Sequence, residues 1–185
     1  MNMPKKQKFA VFDIDGTIFR SSLLIELVGR CIEEGIFPYR MRSIYNEDFQ
    51  RWLDRRGSYD DYIQKVIAAY RIHSKGVKLR DVMDIADRLM VFHKNRVYRY
   101  TRDLVEKLKK THFLLAISHS PYHVVEPFCR YWGFQKVYAM MYDVDKNEVF
   151  TGTVEYEDFM RKKDKVLTRA IEKEGLTLAG SIGVG

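Results

Sequence analysis

The amino-acid sequence predicts an α/β protein in which a doubly wound, Rossmann-like parallel sheet carries an inserted helical module. Three patterns point there. Phe9-Ala10-Val11-Phe12 is a short apolar run of the kind buried on both faces inside a parallel sheet. From residue 20 to residue 94 apolar positions recur at helical spacing, with no strand pattern among them. Beyond that stretch apolar runs and helical segments alternate, as they do where helices connect parallel strands. The expected division is a core of residues 1–19 and 95–185 and a helical cap of residues 20–94 packed over the strand ends.

Residues 1–7 are polar and lysine-bearing, a loose lead-in to the first strand. After it, Leu23, Leu24, Leu27, Val28, Cys31 and Ile32 mark a helix with Ser21 or Ser22 placed to cap it. Gly35 and Pro38 end that helix. Further helices are expected over 41–55, 59–73 and 79–93, punctuated by Gly57 and Gly76. Tyr45, Phe49, Trp52, Tyr62 and Tyr70 are spaced to form the interior of this bundle rather than to meet a ligand. A helix over 100–110 returns the chain to the sheet. His112 to Ile117 reads as the second buried strand, followed by a helix over 122–132 with Ser120 as cap, Pro121 at its first position and Gly133 past its end. Strands over 137–143 and 148–155 form a hairpin around Asp145-Lys146-Asn147, a helix spans 159–174, and Ser181 to Gly185 reads as a last short buried strand.

Length and composition narrow the function. With 185 residues, 46% hydrophobic and 31% charged, the chain resembles an ordinary globular domain, and its apolar runs are too short for a membrane span. Its two cysteines form no disulfide framework and no leader is evident, so a cytoplasmic setting without membrane contact is expected. The formal net charge of +7 fits a nucleic-acid binder, a protein that draws phosphorylated small molecules into a cleft, or a surface that is simply solvated. The basic residues are scattered and not interleaved with aromatics, so no nucleic-acid partner is expected. Nothing in the sequence bears on oligomeric state.

The first strand ends in Asp13-Ile14-Asp15-Gly16-Thr17. In open α/β sheets ligands bind beyond the carboxyl ends of the strands, which is where both carboxylates fall. Neighbouring carboxylates repel and call for a cation or a shared proton, and a hard dication such as Mg2+ prefers such oxygens. The competing reading is an Asx-type turn with solvated side chains. This DxDGT segment resembles the nucleophile motif of the haloacid dehalogenase-like (HAD) hydrolases. The resemblance implies a HAD-like fold, Asp13 as nucleophile, Asp15 as general acid/base, both as metal-site residues, Thr17 as a further hydroxyl at the site, and Mg2+ as cofactor. The chemistry is coherent: one carboxylate splits a hard displacement into two steps, and the other protonates the leaving oxygen and then deprotonates water.

Ser118 follows the second apolar strand and matches the family's second motif, so the resemblance makes it a phosphate-binding residue; the alternative is a capping serine in a turn. His119 is carried as a further substrate-side candidate. The family's lysine falls among Lys162, Lys163 and Lys165, and counting back from Glu174-Gly175 favours Lys163, with Lys165 next. The cap's position between the first two motifs resembles the phosphoserine phosphatase-like subgroup, yet Ser22 stands where those enzymes carry a glutamate, and Gln64 and Lys65 near their substrate-binding arginine. Ile182-Gly183-Val184-Gly185 resembles the strand leading into a fourth, acidic motif, which this sequence does not reach. The expectation is that the segment is C-terminally incomplete and by itself binds Mg2+ weakly with little turnover. The reading is a phosphomonoester hydrolase acting on a small phosphorylated substrate; the alternative is a HAD-like phosphate-ligand or protein-binding module without turnover.

Overall fold

The computed structural model describes residues 6–185. Its centre is a five-stranded sheet in the order β4-β3-β2-β1-β5. Strands β1 (Gln7–Phe12), β2 (Phe113–Pro121), β3 (Lys136–Val144) and β5 (Leu176–Val184) run parallel, and β4 (Phe150–Glu155) adds antiparallel to β3. Strand β1 therefore has a hydrogen-bonded neighbour on each side, with Phe12 opposite Ala116 of β2 and Val184 of β5. The period of two along a strand sorts its side chains between two layers. Ala10, Phe12, Leu114 and Ala116 join a large apolar interior with helices α1 (Leu23–Glu33), α4 (Leu79–His93), α5 (Arg99–Leu108) and α6 (Tyr122–Tyr131). Val11, Leu115 and Ile117 face the other way, onto Val166 and Ala170 of α8 (Lys163–Lys173). That is the doubly wound arrangement.

The helical stretch leaves and re-enters the sheet as a narrow ribbon. Arg20 N–H donates to the Arg96 carbonyl at 3.0 Å and Tyr98 N–H to the Ile18 carbonyl at 3.0 Å, so the outgoing and returning chains run side by side. Helix α3 (Tyr59–Ser74) starts in a capping box: Ser58 Oγ accepts from Asp61 N–H at 3.0 Å while the Asp61 carboxylate accepts from Ser58 N–H at 3.4 Å. The far end of the stretch is tied to the hairpin, with Leu79 N–H on the Glu148 carbonyl at 2.8 Å and Phe150 N–H on the Val77 carbonyl at 2.9 Å.

Several expected elements are broken or displaced. Residues 1–5 of the expected lead-in lie outside the described residues, and Gln7 is already paired in β1. The helix expected over 41–55 is a 3-10 segment, Tyr39–Ile44, then α2 (Asn46–Leu53). The helix expected over 159–174 is split into α7 (Glu157–Met160) and α8 by Arg161 and Lys162. The last strand is longer than expected and interrupted: Lys8 faces Thr177 but Ala10 faces Ile182, so residues 178–181 bulge outward, pinned by Phe9 N–H donating to Ser181 Oγ at 2.8 Å. Ser120 does not cap α6; Pro121 takes the capping position and the serine hydroxyl is used elsewhere. Gly133, at φ +82°, ends that helix in the left-handed conformation glycine adopts freely.

Candidate active site

Asp13 is the first residue past the paired part of β1, held there by its own N–H on the Val184 carbonyl at 2.9 Å. The chain then turns tightly. The N–H groups of Thr17, Ile18 and Phe19 all point to the Ile14 carbonyl at 3.2, 3.0 and 2.9 Å, and Gly16, at φ +75°, permits the reversal. Ile14, Ile18 and Phe19 are fully buried and anchor this loop from below. The two carboxylates of the motif consequently meet different surroundings.

Asp13 Oδ1 accepts the Ile14 N–H at 2.8 Å and pairs with Lys163 Nζ at 2.8 Å. Lys163 is the first residue of α8, so the positive end of that helix also faces the strand tip. Asp15 turns inward. Its Oδ1 accepts the Leu23 N–H at 2.6 Å, standing in for a cap on α1 because the Ser22 side chain makes no capping bond. Its Oδ2 accepts Ser120 Oγ at 2.7 Å and Ser118 Oγ at 3.1 Å. Burial pushes the Asp15 carboxyl above the usual carboxylate range; the bonds from Leu23, Ser120 and Ser118 pull the other way, and the nearby Asp13 charge adds to the rise.

Asp13, Asp15, His119 and Lys163 line one cavity of about 570 Å3 together with Ser120. Burial and then the Lys163 charge hold the His119 imidazole below its ordinary value, partly offset by Asp13. Two expected ligand residues are not on the cavity wall. Ser118 is fully buried with its hydroxyl given to Asp15, and Thr17 contributes its carbonyl to Thr101 Oγ1 at 2.9 Å, fastening the loop to α5. The expectation for the aromatics also divides. Tyr70 is fully buried interior and Tyr45 is half-buried against the same apolar core, whereas Phe49, Trp52 and Tyr62 line the cavity.

The sequence reading missed Arg20, Arg96, Tyr98, Tyr59 and Ser120. Arg20 lies over the Tyr98 ring at 5.8 Å, and Arg96 pairs with Glu26 at 2.7 Å while lying over Phe19 at 6.0 Å. The paired ribbon sets both guanidinium groups at the cavity, and no local pattern announces that pairing. Burial followed by the Asp15 charge raises the Tyr59 pKa. Only Ser120 had a readable signal: Ser118 and Ser120 are two apart at a strand end and so share a face.

Among the described residues no group of three or more His, Cys, Asp or Glu side chains converges on a metal position. The oxygens that remain are Asp13 Oδ2 and the Asp15 carbonyl, neither of which accepts a hydrogen bond among the described residues. Such a hard, anionic oxygen set fits a dication such as Mg2+. The Asp15 carboxylate does not fit it, because both its oxygens are committed to Leu23, Ser118 and Ser120.

A mostly parallel sheet with its cavity beyond the carboxyl ends of β1 and β2 defines a Rossmann-like α/β protein with its site at the strand tips. A family model for haloacid dehalogenase-like hydrolase matches residues 10–185, and the chain belongs to that family. Among solved structures it is similar to a protein of unknown function from Bordetella pertussis Tohama I, with 15% identity, TM-score 0.71, and 96% of this chain and 79% of that one covered. It is also similar to phosphoserine phosphatase captured as a phospho-aspartyl intermediate analogue, with 17% identity, TM-score 0.57, and coverage of 97% and 78%. A third is a phosphoserine phosphohydrolase-like protein from Francisella tularensis subsp. tularensis SCHU S4, with 15% identity, TM-score 0.60, and coverage of 90% and 73%. At these identities the likeness is one of fold. No curated protein matches the chain by sequence. Among the described residues no helix is long and apolar enough to cross a membrane.

Proposed function

We propose that the chain is a Mg2+-dependent phosphomonoester hydrolase that acts on a small phosphorylated metabolite through an aspartyl-phosphate at Asp13. The supporting observation is the division between its two aspartates, both on the cavity wall: one paired with Lys163, the other held by an amide and two serine hydroxyls and shifted toward its protonated form. Residues 20–94 would serve as the cap over a core of residues 1–19 and 95–185, with the ribbon at 18–20 and 96–98 as the hinge. Both cysteines are free, buried thiols, which suits a reducing cytoplasm.

Each residue then has a defined task. Asp13 attacks phosphorus as the bond to the leaving oxygen breaks, and Asp15 gives that oxygen its proton. Water next loses a proton to Asp15 and attacks the same phosphorus, releasing inorganic phosphate and restoring Asp13. Asp15 exchanges one serine contact for the substrate oxygen when it acts. Lys163 and the amino end of α8 offset charge on the phosphoryl oxygens, with His119 beside them. Mg2+, held by the Asp13 carboxylate and the Asp15 carbonyl, would neutralise charge between nucleophile and phosphate.

The test is turnover of p-nitrophenyl phosphate by the chain with Mg2+ present, against Asp13→Asn. The readout is the single-turnover burst of p-nitrophenol, which does not require efficient cycling; a loss of about 10³-fold or more is expected, with borohydride reduction trapping the acyl phosphate at Asp13 in the parent only. Equal rates in parent and variant would overturn the proposal.

A further inference from the structure

The wall opposite Asp13 is apolar in a way that protein packing alone does not explain. Helix α2 buries none of its residues, although it carries Phe49, Trp52 and Leu53. Trp52 is 37% exposed and Tyr59 42% exposed, and both line the cavity. The rings are not loose. Trp52 lies nearly parallel to Tyr62, at 12° and 5.8 Å between centroids, and meets Tyr59 edge-on at 5.5 Å, while Phe49 contacts Tyr62 at 5.1 Å. They form a braced platform whose open surface faces the site rather than another helix. Large aromatic area of this kind is stabilised when a ligand covers it.

The polar groups on the same wall argue against an amino-acid head group. A zwitterion needs a cation for its carboxylate and an anion for its ammonium. Among the cavity residues from α1, α2 and α3, Asp60 is the single charged side chain, and Ser22 and Gln64 are neutral. The arginines at the cavity lie on the connecting ribbon instead, where Arg96 is paired with Glu26 and Arg20 lies over the Tyr98 ring at 5.8 Å, away from the aromatic wall's own helices.

We infer that the alcohol half of the substrate is an apolar, ring-bearing group laid on the Phe49–Trp52–Tyr59–Tyr62 platform, and not an amino acid. This rests on the phosphomonoesterase reading of Asp13 and deepens it by naming the leaving-group class. A cavity of about 570 Å3 has room for a bicyclic ring beyond a phosphoryl group.

The experiment compares binding of two non-hydrolysable phosphonates to the chain by calorimetry: naphthylmethylphosphonate, and 2-amino-4-phosphonobutanoate as the phosphoserine mimic. The aryl phosphonate is expected to bind about tenfold or more tightly than the amino-acid one. Trp52→Ala should erase that preference, Trp52→Phe should keep most of it, and both variants should bind inorganic phosphate within about twofold of the parent. Because Trp52 sits on the open side of α2, unchanged circular dichroism and melting would show that the variants are folded. Equal or tighter binding of the amino-acid phosphonate overturns the inference and leaves phosphoryl transfer at Asp13 standing. Failure of the parent to bind either phosphonate, with no Asp13-dependent turnover, overturns both.

Discussion

His123 sits where the helical stretch, α6 and the hairpin meet, and it sets an acid limit on that junction. Its Nε2 lies 2.7 Å from the phenol of fully buried Tyr70 on α3, and its ring packs on Phe150 of β4 and Tyr142 of β3. Burial pushes the imidazole down from 6.5 to about 4, so at neutral pH it is uncharged and shares a hydrogen bond with the Tyr70 hydroxyl. Burial also raises the Tyr70 and Tyr142 phenols above their ordinary values, so neither titrates in the acid range. The folded value is depressed, so the stability this residue contributes is complete above 6.5 and is lost as pH falls from there to about 4. At about 1.4 kcal/mol per pH unit, that interval is worth about 3 kcal/mol. Urea unfolding of the parent and of His123→Gln, which keeps an acceptor but does not titrate, should diverge by this amount between neutral pH and about pH 4. Parallel curves, with less than about 1 kcal/mol of divergence, would refute the assignment of a buried neutral imidazole at the junction.

Two further outcomes follow from the same geometry. Ser120→Ala removes a hydrogen bond that lowers the Asp15 pKa, so carbon-13 spectra of labelled aspartate should show the Asp15 carboxyl titrating higher than in the parent, at a stability cost of about 1 kcal/mol. Arg71 on α3 holds Glu157 of α7 through its two terminal guanidinium nitrogens, at 2.6 and 3.2 Å, while Arg161 keeps its own bond to the same carboxylate at 2.7 Å. Arg71→Ala should therefore cost no more than about 1 kcal/mol globally, because the pair is partly solvated, yet speed amide exchange in α3.

The parts of this architecture that were readable are those determined by neighbours in the chain. Phe9 to Phe12 and the acidic residues after them state a buried strand and its tip in a few positions, and Gly57 marks the break just before α3. What was not readable depends on partners far away. The outward bulge of residues 178–181 answers to Lys8, Phe9 and His112, since Phe9 N–H takes Ser181 Oγ and the His112 ring meets the Gly180 carbonyl at 3.1 Å. The serine expected to cap α6 was diverted because Asp15 approaches it from the turn after β1. The aromatics of residues 45–70 share one helical spacing, and periodicity cannot say that Tyr70 is enclosed by Phe37 and Tyr142 while Trp52 is left open to a cavity. Counting residues favours one of three lysines, but the ion pair itself depends on α7 ending at Met160 so that α8 begins at Lys163.

The geometry of Asp13 and Asp15 recasts the electrostatic problem that their adjacency poses. Like charges at a strand tip were expected to need a cation or a shared proton between them. Instead the turn at Gly16 sends the second side chain back under the loop, where it meets an amide and two hydroxyls, and leaves the first beside a lysine. Repulsion is relieved by giving each carboxylate its own partners, and the enclosed one is biased toward carrying a proton. On the proposed mechanism a nucleophile has to be ionised and an acid has to hold its proton, so the same short motif could supply both only if the backbone reverses between them. Gly16, whose missing Cβ leaves the left-handed conformation unstrained, is what makes the two aspartates chemically unlike.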